Sequence, residues 1–234
     1  MQASVVMPVY NEAATITAAV DQVRAQPVVS QVVVVDDASS DPTPELLAAY
    51  QSCDDVLVVR QPTNRGKGAA VREGLRHIDG DVAIIQDADL EYDPTEYPRL
   101  IAPIERGEAD VVYGSRFARE AAPCRTGQDT SFWHLAGNRL LTAASNLTTG
   151  LRLTDMETCY KVMRREVVET ILPSLREDRF GIEPELTVKI ARRGYRVVEV
   201  PIAYRGRSYA AGKKIGIGDG FRALWCIVRY ARHD

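Results

Sequence analysis

The sequence predicts an α/β protein built on a mainly parallel sheet with helices on both faces. Three observations carry that expectation. Short β-branched runs recur through the first half, segments of helical periodicity follow them, and polar residues crowd in just after each run. In such a sheet the strands point one way, so those polar residues collect along one edge, where open α/β sheets bind ligands.

The elements follow in order. Ser4–Pro8 runs through Tyr10-Asn11-Glu12 into a helix over Ala13–Ala25. Val32–Asp36 ends in Asp36-Asp37 ahead of a helix over Thr43–Tyr50, with Ser39, Ser40 and Asp41 as capping residues and Pro42 at its opening. Val56–Arg60 leads through Asn64–Gly68 into a helix over Gly68–His77. Val82–Asp87 enters Asp87-Ala88-Asp89, and Asp93-Pro94 starts a helix over Thr95–Ile104. Val111–Ser115 is the fifth run. Beyond Arg116 come a loop over Ala118–Thr130, a helix over Phe132–Thr149, a segment Thr154–Met163, a helix near Glu183–Arg193 and a strand Arg196–Pro201. No repeat, low-complexity tract or linker interrupts the chain, so 1–234 reads as one globule with halves 1–116 and 117–204 and a basic tail over 205–234.

Composition narrows the function classes. With 234 residues, 45% hydrophobic and 26% charged, the chain has enough material for a substantial core. A formal charge of −3 provides no general field for nucleic acid, so an anion site must be built locally. No apolar stretch approaches the roughly 18 residues of a membrane span, and the N-terminus lacks a basic region followed by an apolar one, so a cytoplasmic protein is expected. Cys53, Cys124, Cys159 and Cys226 are scattered, which suits reduced thiols and indicates no zinc site.

The sharpest local signal is Asp87-Ala88-Asp89-Leu90-Glu91 at the end of an apolar strand. In extended chain, residues i and i+2 share a face ~6.6 Å apart, so these carboxylates point one way and call for a cation. Oxygen-only ligands suit Mg²⁺ or Mn²⁺ shared with a substrate phosphate; a solvated acidic loop explains the same residues without a metal. Asp36 and Asp37 offer acceptors for a nucleobase imide or ribose hydroxyl. Asn64-Arg65-Gly66-Lys67-Gly68 precedes a helix, where free N–H groups favour an anion, although an ordinary turn also accounts for its glycines. It lacks the spacing of a Walker A loop.

The tail from Tyr204 holds Arg205, Arg207, Lys213, Lys214, Arg222, Arg229 and Arg232 against Asp219 and Asp234, a local excess of five positive charges. Phe221, Leu224, Trp225 and Val228 recur there at helical spacing, which fits either packing on the core or a membrane-surface helix.

Taken together, these residues resemble the family 2 glycosyltransferases with a GT-A fold, in the dolichol-phosphate mannosyltransferase-like, polyprenyl-phosphate branch. The matching stretches are Pro8–Glu12, Val35–Ser39, Asn64–Ala70, Asp87–Glu91 and Gly114–Arg116. Gly137–Arg139, Thr154–Lys161, Arg179–Glu185 and Gly212–Ile215 continue the match. The resemblance implies that 1–116 is a nucleotide-binding half and 117–204 an acceptor half. It implies nucleotide contacts from Pro8, Tyr10, Glu12, Asp36, Asp37, Lys67, Asp87 and Ala88, and a divalent metal on Asp87 and Asp89. Glu91 stands where relatives often carry a further metal ligand. Arg116 resembles an arginine near the donor sugar or acceptor phosphate, and Arg139, Arg205, Arg207, Lys213 and Lys214 are further phosphate partners. Asp155 resembles an acceptor-side acid, acting as a general base or orienting the acceptor or a basic neighbour.

The expected activity is metal-dependent, inverting transfer of a hexose from a nucleotide-diphosphate sugar of the GDP-mannose or UDP-glucose type to a polyprenyl phosphate, with Asp89, Arg116 and Asp155 as catalytic residues. A peripheral contact at the inner membrane face goes with it. A soluble hydroxyl or saccharide acceptor is the alternative, followed by a non-catalytic nucleotide-binding module. A sugar-1-phosphate nucleotidyltransferase fits poorly, because Pro8–Glu12 is unlike the glycine-rich loop those enzymes carry after strand one.

Overall fold

The computed structural model describes residues 1–118, 132–206 and 217–232. Seven strands form one sheet in the order β3-β2-β1-β4-β6-β5-β7. They are β1 (Ala3–Val9), β2 (Val29–Asp36), β3 (Val56–Arg60), β4 (Val82–Ile85), β5 (Val111–Ser115), β6 (Lys161–Arg164) and β7 (Val197–Pro201). Parallel pairing joins β3, β2, β1 and β4, and β5 with β7. The exception is β6, antiparallel to both β4 and β5. Strands from both sides of Arg116 thus share one sheet.

The central strands are buried on both faces, which is why Val32–Val35 and Val82–Ile85 are continuous apolar runs. Pro8 lies opposite Val35 of β2, beyond the last β1–β4 pair at Val6, so its missing N–H breaks no ladder on the β4 side. The helix α1 (Ile16–Arg24) turns Ile16, Ala19, Val20 and Val23 inward at helical spacing. It starts later than expected because the amides of Thr15 and Ile16 both fold back onto the Glu12 carbonyl. The short α2 (Thr43–Leu47) tightens into a 3-10 turn over Ala48–Tyr50. Next is α3 (Lys67–Leu75), where Gly74 allows close contact with β1, since a Cβ there would stand 2.4 Å from Val6 Cγ1.

The remaining helices are α4 (Tyr97–Glu105), α5 (Phe132–Thr149), α6 (Arg165–Ile171), α7 (Ile182–Arg192) and α8 (Ile217–Arg232). Asp93 caps the turn before α4, accepting from Thr95 N at 3.0 Å. Helix α8 lies along α5 and α7. It buries Ala223, Cys226, Ile227 and Tyr230 and leaves Leu224, Trp225 and Val228 exposed, so these three members of the periodic stripe do not pack on the core. Among the described residues no helix is long and apolar enough to cross a membrane.

Candidate active site

Sheet order reverses between β1 and β4, and the loops leaving these strands at their carboxyl ends flank the crevice so formed. Three non-glycine residues at this rim hold left-handed backbone: Asn11 after β1 (φ 52°), Ala38 after β2 (φ 58°) and Leu90 after β4 (φ 62°). Strain of this kind concentrates where loops are held in place for function.

The first two rim loops hold each other. Asn11 N donates to Ser39 Oγ at 2.9 Å, and Ser40 N donates to Asn11 Oδ1 at 2.8 Å. Asp41 accepts from Thr43 N at 3.1 Å and from Ala13 N at 3.0 Å, so it caps α2 and ties down the first loop. Glu12 accepts from Thr15 Oγ1 at 3.0 Å, while Tyr10 stands exposed beside it. Asp36 is buried, accepting from Ser39 N at 2.9 Å with the Arg60 guanidinium 3.4 Å away. Asp37 accepts from Arg65 N at 2.8 Å and Gly66 N at 2.6 Å. Both acids therefore shape the rim through the backbone.

Those bonds draw in the Asn64–Gly68 loop, whose glycines have a steric explanation. Gly66 has φ +106°, and a Cβ there would lie 2.7 Å from Asp178 O; at Gly68 it would lie 2.4 Å from Glu177 O. Ala69 N is bound to Asp178 O at 3.0 Å. The glycines thus let α3 abut the segment before α7.

Between them Lys67 turns inward. Its ammonium lies 2.9 Å from Asp87 Oδ1, 3.0 Å from Asp87 Oδ2 and 3.0 Å from Glu183 Oε1. Burial opposes its charge, but Asp87 and Glu183 outweigh that and hold its pKa well above the ordinary lysine value. The other Glu183 oxygen takes fully buried Lys161, which also donates to the carbonyls of Met156 and Thr158. Glu183 and Lys161 went unnoticed as site residues in the sequence, although both fall in stretches that match the family, Arg179–Glu185 and Thr154–Lys161.

Gln86 accepts from the Tyr97 and Tyr160 hydroxyls and donates to the Asp87 carbonyl at 2.8 Å, fixing the backbone that presents Asp87. Ala88 is buried, and Asp89 accepts from Glu91 N at 3.1 Å. Glu91 accepts from the Tyr204 hydroxyl. Among the described residues no three His, Cys, Asp or Glu side chains are grouped to hold a metal ion, so Asp87, Asp89 and Glu91 do not form a ready cage. Asp87 and Asp89 nonetheless fit a hard divalent cation: both offer oxygen alone, and Asp87 is one-quarter exposed, leaving room for diphosphate oxygens as the remaining ligands.

Across the crevice, Arg116 forms a bidentate pair with Asp155, Nε to Oδ2 at 2.6 Å and NH2 to Oδ1 at 2.8 Å. Asn138 Nδ2 donates to Asp155 Oδ1 at 3.1 Å. Burial pushes the Asp155 carboxyl up, Arg116 pulls it down further, and the net position is below the usual aspartate value. Of the two roles expected for Asp155, this geometry fits orientation of a basic neighbour. The Arg116 guanidinium also lies 5.1 Å from the Tyr204 ring centroid, linking it through Tyr204 to Glu91.

Glu157, two residues on, is a further site acid that sequence reasoning missed. Burial first, then Glu183, raises its pKa to about 7. Arg205 is exposed and bonds the Glu91 carbonyl through its N–H at 2.9 Å; Arg139 is exposed on α5. Arg207, Lys213 and Lys214 lie outside the described residues.

A parallel-sheet rim carrying paired acids, an inward lysine and an opposed arginine defines a GT-A glycosyltransferase. The chain belongs to glycosyl transferase family 2, whose pattern matches residues 4–172. It is 31% identical to the low-salt glycan biosynthesis hexosyltransferase Agl6 of Haloferax volcanii, over 94% of this chain and 51% of that protein. It is 30% identical to undecaprenyl-phosphate mannosyltransferase of Micrococcus luteus, over 92% of this chain and 88% of that protein. The chain thus spans about half the length of Agl6 and about three-fifths of two other curated relatives. Glucosyl-3-phosphoglycerate synthase from Mycobacterium tuberculosis, crystallised with Mn²⁺, uridine diphosphate and phosphoglyceric acid, shares the fold at TM-score 0.72. That likeness covers 98% of this chain and 78% of that one at 22% identity.

Proposed function

We propose that this chain transfers a hexose from a nucleotide-diphosphate sugar of the GDP-mannose or UDP-glucose type to a polyprenyl phosphate, inverting the anomeric carbon. The observation that carries the reading is the rim itself: Asp87 is paired with Lys67 at the end of β4, Asp89 follows it in the same loop, and Arg116 is held by Asp155 at the end of β5. Relatives named for undecaprenyl-phosphate sugar transfer support the acceptor class. Neighbours crystallised with UDP and Mn²⁺ or Mg²⁺ support the donor and cofactor class.

Asp87 and Asp89 would hold a divalent ion, which would supply Lewis-acid neutralisation of the leaving diphosphate. Lys67 adds fixed positive charge on the donor wall. Arg116, locked in one rotamer by Asp155, presents the edge of its guanidinium that remains to an anionic oxygen. A phosphate acceptor is already ionised and needs no general base, which is consistent with Asp155 being committed to Arg116.

Leu224, Trp225 and Val228 on α8, with Leu140 and Leu147 on the adjoining α5, are exposed large apolar residues. Arg229 lies over the Trp225 ring at 4.6 Å. An apolar face edged by arginine suits peripheral contact with the membrane that carries the acceptor.

The test is transfer from radiolabelled GDP-mannose and UDP-glucose to undecaprenyl phosphate in vesicles, with Mn²⁺, with Mg²⁺ and with chelator. Label in the lipid phase only with metal is the expected result. Label confined to water-soluble acceptors would replace the acceptor assignment. Vesicle co-sedimentation of a Trp225→Ser variant, expected to be weakened, reports on the membrane face separately.

A further inference from the structure

The Arg116–Asp155 pair is flanked by two acceptor atoms that the protein leaves unanswered. Glu157 Oε1 and Asn138 Oδ1 are both shut off from solvent, and neither has a hydrogen-bond partner among the described residues. Asn138 is anchored on the same pair, its Nδ2 donating to Asp155 Oδ1 at 3.1 Å. Glu157 lies two residues beyond Asp155, and the charges that bear on it are those of Glu183, Lys161, Arg116 and Asp155. Buried polar atoms without partners are few in native proteins, and two around the Arg116–Asp155 pair call for donors that the described residues do not supply.

The surroundings say which donors. The neighbouring cations each hold a carboxylate already, Arg116 on Asp155 with one guanidinium edge left over, Lys67 on Asp87 and Glu183, and Lys161 on Glu183 and two carbonyls, and none of them is bonded to Glu157. A phosphate brought to Glu157 would face the carboxylates of Glu157, Asp155 and Glu183 together, and like charges repel strongly in a cleft. A neutral group with several hydroxyls matches two acceptor atoms without that repulsion, and each hydroxyl brings one O–H donor. We propose that Glu157 and Asn138 accept hydrogen bonds from hydroxyls of the transferred sugar and so determine which hexose the enzyme takes. The inference rests on the functional reading above and adds the subsite that reads the sugar.

Sites built to hydrogen-bond a hydroxyl discriminate strongly against ligands that lack it, because their own polar atoms are then left bare. The experiment compares UDP, GDP, UDP-glucose and GDP-mannose by titration calorimetry on wild type, Glu157→Ala and Glu157→Gln, with thermal melts confirming that each variant is folded. Glu157→Ala is expected to weaken the preferred sugar nucleotide by about tenfold while shifting its parent diphosphate less than about twofold. Glu157→Gln, which keeps an acceptor oxygen, is expected to recover much of the loss. Among donors each lacking one sugar hydroxyl, one should bind wild type and Glu157→Ala alike, an effect that a merely structural role cannot produce. Equal weakening of diphosphate and sugar nucleotide, or no weakening of either, overturns the inference while leaving nucleotide binding intact. Failure of wild type to bind any of the four strikes the functional reading itself, and the inference with it.

Discussion

Lys67 and Glu183 meet at 3.0 Å across the join between helices α3 and α7. Because Glu183 also receives Lys161, one carboxylate holds two ammonium groups, one of which reaches Asp87 at the rim. Removing one partner of such a buried cluster leaves charges uncompensated and costs about 3–5 kcal/mol. Lys67→Met is therefore expected to lower the urea midpoint strongly. A Lys67→Met/Glu183→Gln double variant should not recover fully, since Lys161 then loses its carboxylate. Unchanged stability in the single variant would mean that Lys67 carries no structural share of the network.

Asp89 separates binding chemistry from folding. Its carboxylate supports a turn through Glu91 N, while the strand beneath it is fixed by Gln86 and the β1–β4 pairing. Asp89→Ala is expected to remain folded by circular dichroism, to lose the Mn²⁺-dependent increase in nucleotide affinity, and to lose turnover. Full activity in that variant would end the metal assignment.

Asp155→Asn tests orientation against base catalysis. The folded carboxyl is held below the aspartate reference of 3.8, so its stabilising contribution is present above that value and is lost as pH falls through the lowered folded value. Taking the charge away at pH 7 strands Arg116 in a largely buried position. A loss of about 3 kcal/mol in urea melts at pH 7, shrinking in acid, is the expected outcome. A variant as stable as wild type but without turnover would instead point to a proton-transfer role.

The rim was legible in the sequence because strands buried on both faces announce themselves as unbroken valine and isoleucine runs, and the residues after them must lie at one edge. Asp87, Asp89 and Lys67 followed from that logic, and Arg116 and Asp155 from the family resemblance alone. The strand β6 did not: four residues, Lys161–Arg164, enter the sheet antiparallel between β4 and β5, and nothing local specifies so distant a pairing. Lys161, Glu183 and Glu157 were missed for the same reason, since a buried ion network exists only once the chain has brought its members together. The inward face of α8 was obscured differently. Ala223, Cys226, Ile227 and Tyr230 form one apolar face and Leu224, Trp225 and Val228 another, so periodicity alone does not say which face turns to the core.

Gly68 offers a steric test of the loop. A methyl group there would meet Glu177 O at 2.4 Å and Arg179 O at 2.8 Å, both backbone atoms. Overpacking of this kind costs about 1–3 kcal/mol. The displaced segment also carries Glu177, which accepts from Arg222 at 3.0 Å and Tyr230 at 2.9 Å on α8. Gly68→Ala should lower the melting temperature and raise hydrogen exchange in α8 as well as in α3. A change confined to α3 would show that the 177–179 segment does not transmit the shift.

Glu157 gives the pH dependence with the opposite sign to Asp155. Its pKa is raised to about 7 in the fold from a reference of 4.5, by burial first and Glu183 next. Between those values the folded state binds more protons at this site than the unfolded state, so the contribution to stability is fully present below about 4.5 and is lost as pH rises through 7. Glu157→Gln removes that slope. The variant should match wild type near pH 4.5 and exceed it at pH 8 by about 3 kcal/mol, measured as the difference in urea unfolding free energy. Stabilisation of Glu157→Gln at pH 8, together with a Glu157→Ala variant less able to tell a sugar nucleotide from its diphosphate, would place Glu157 among residues kept for function against stability. Parallel pH curves would mean instead that the carboxylate is ionised and compensated in the native protein, and the sugar would then meet a charged acceptor.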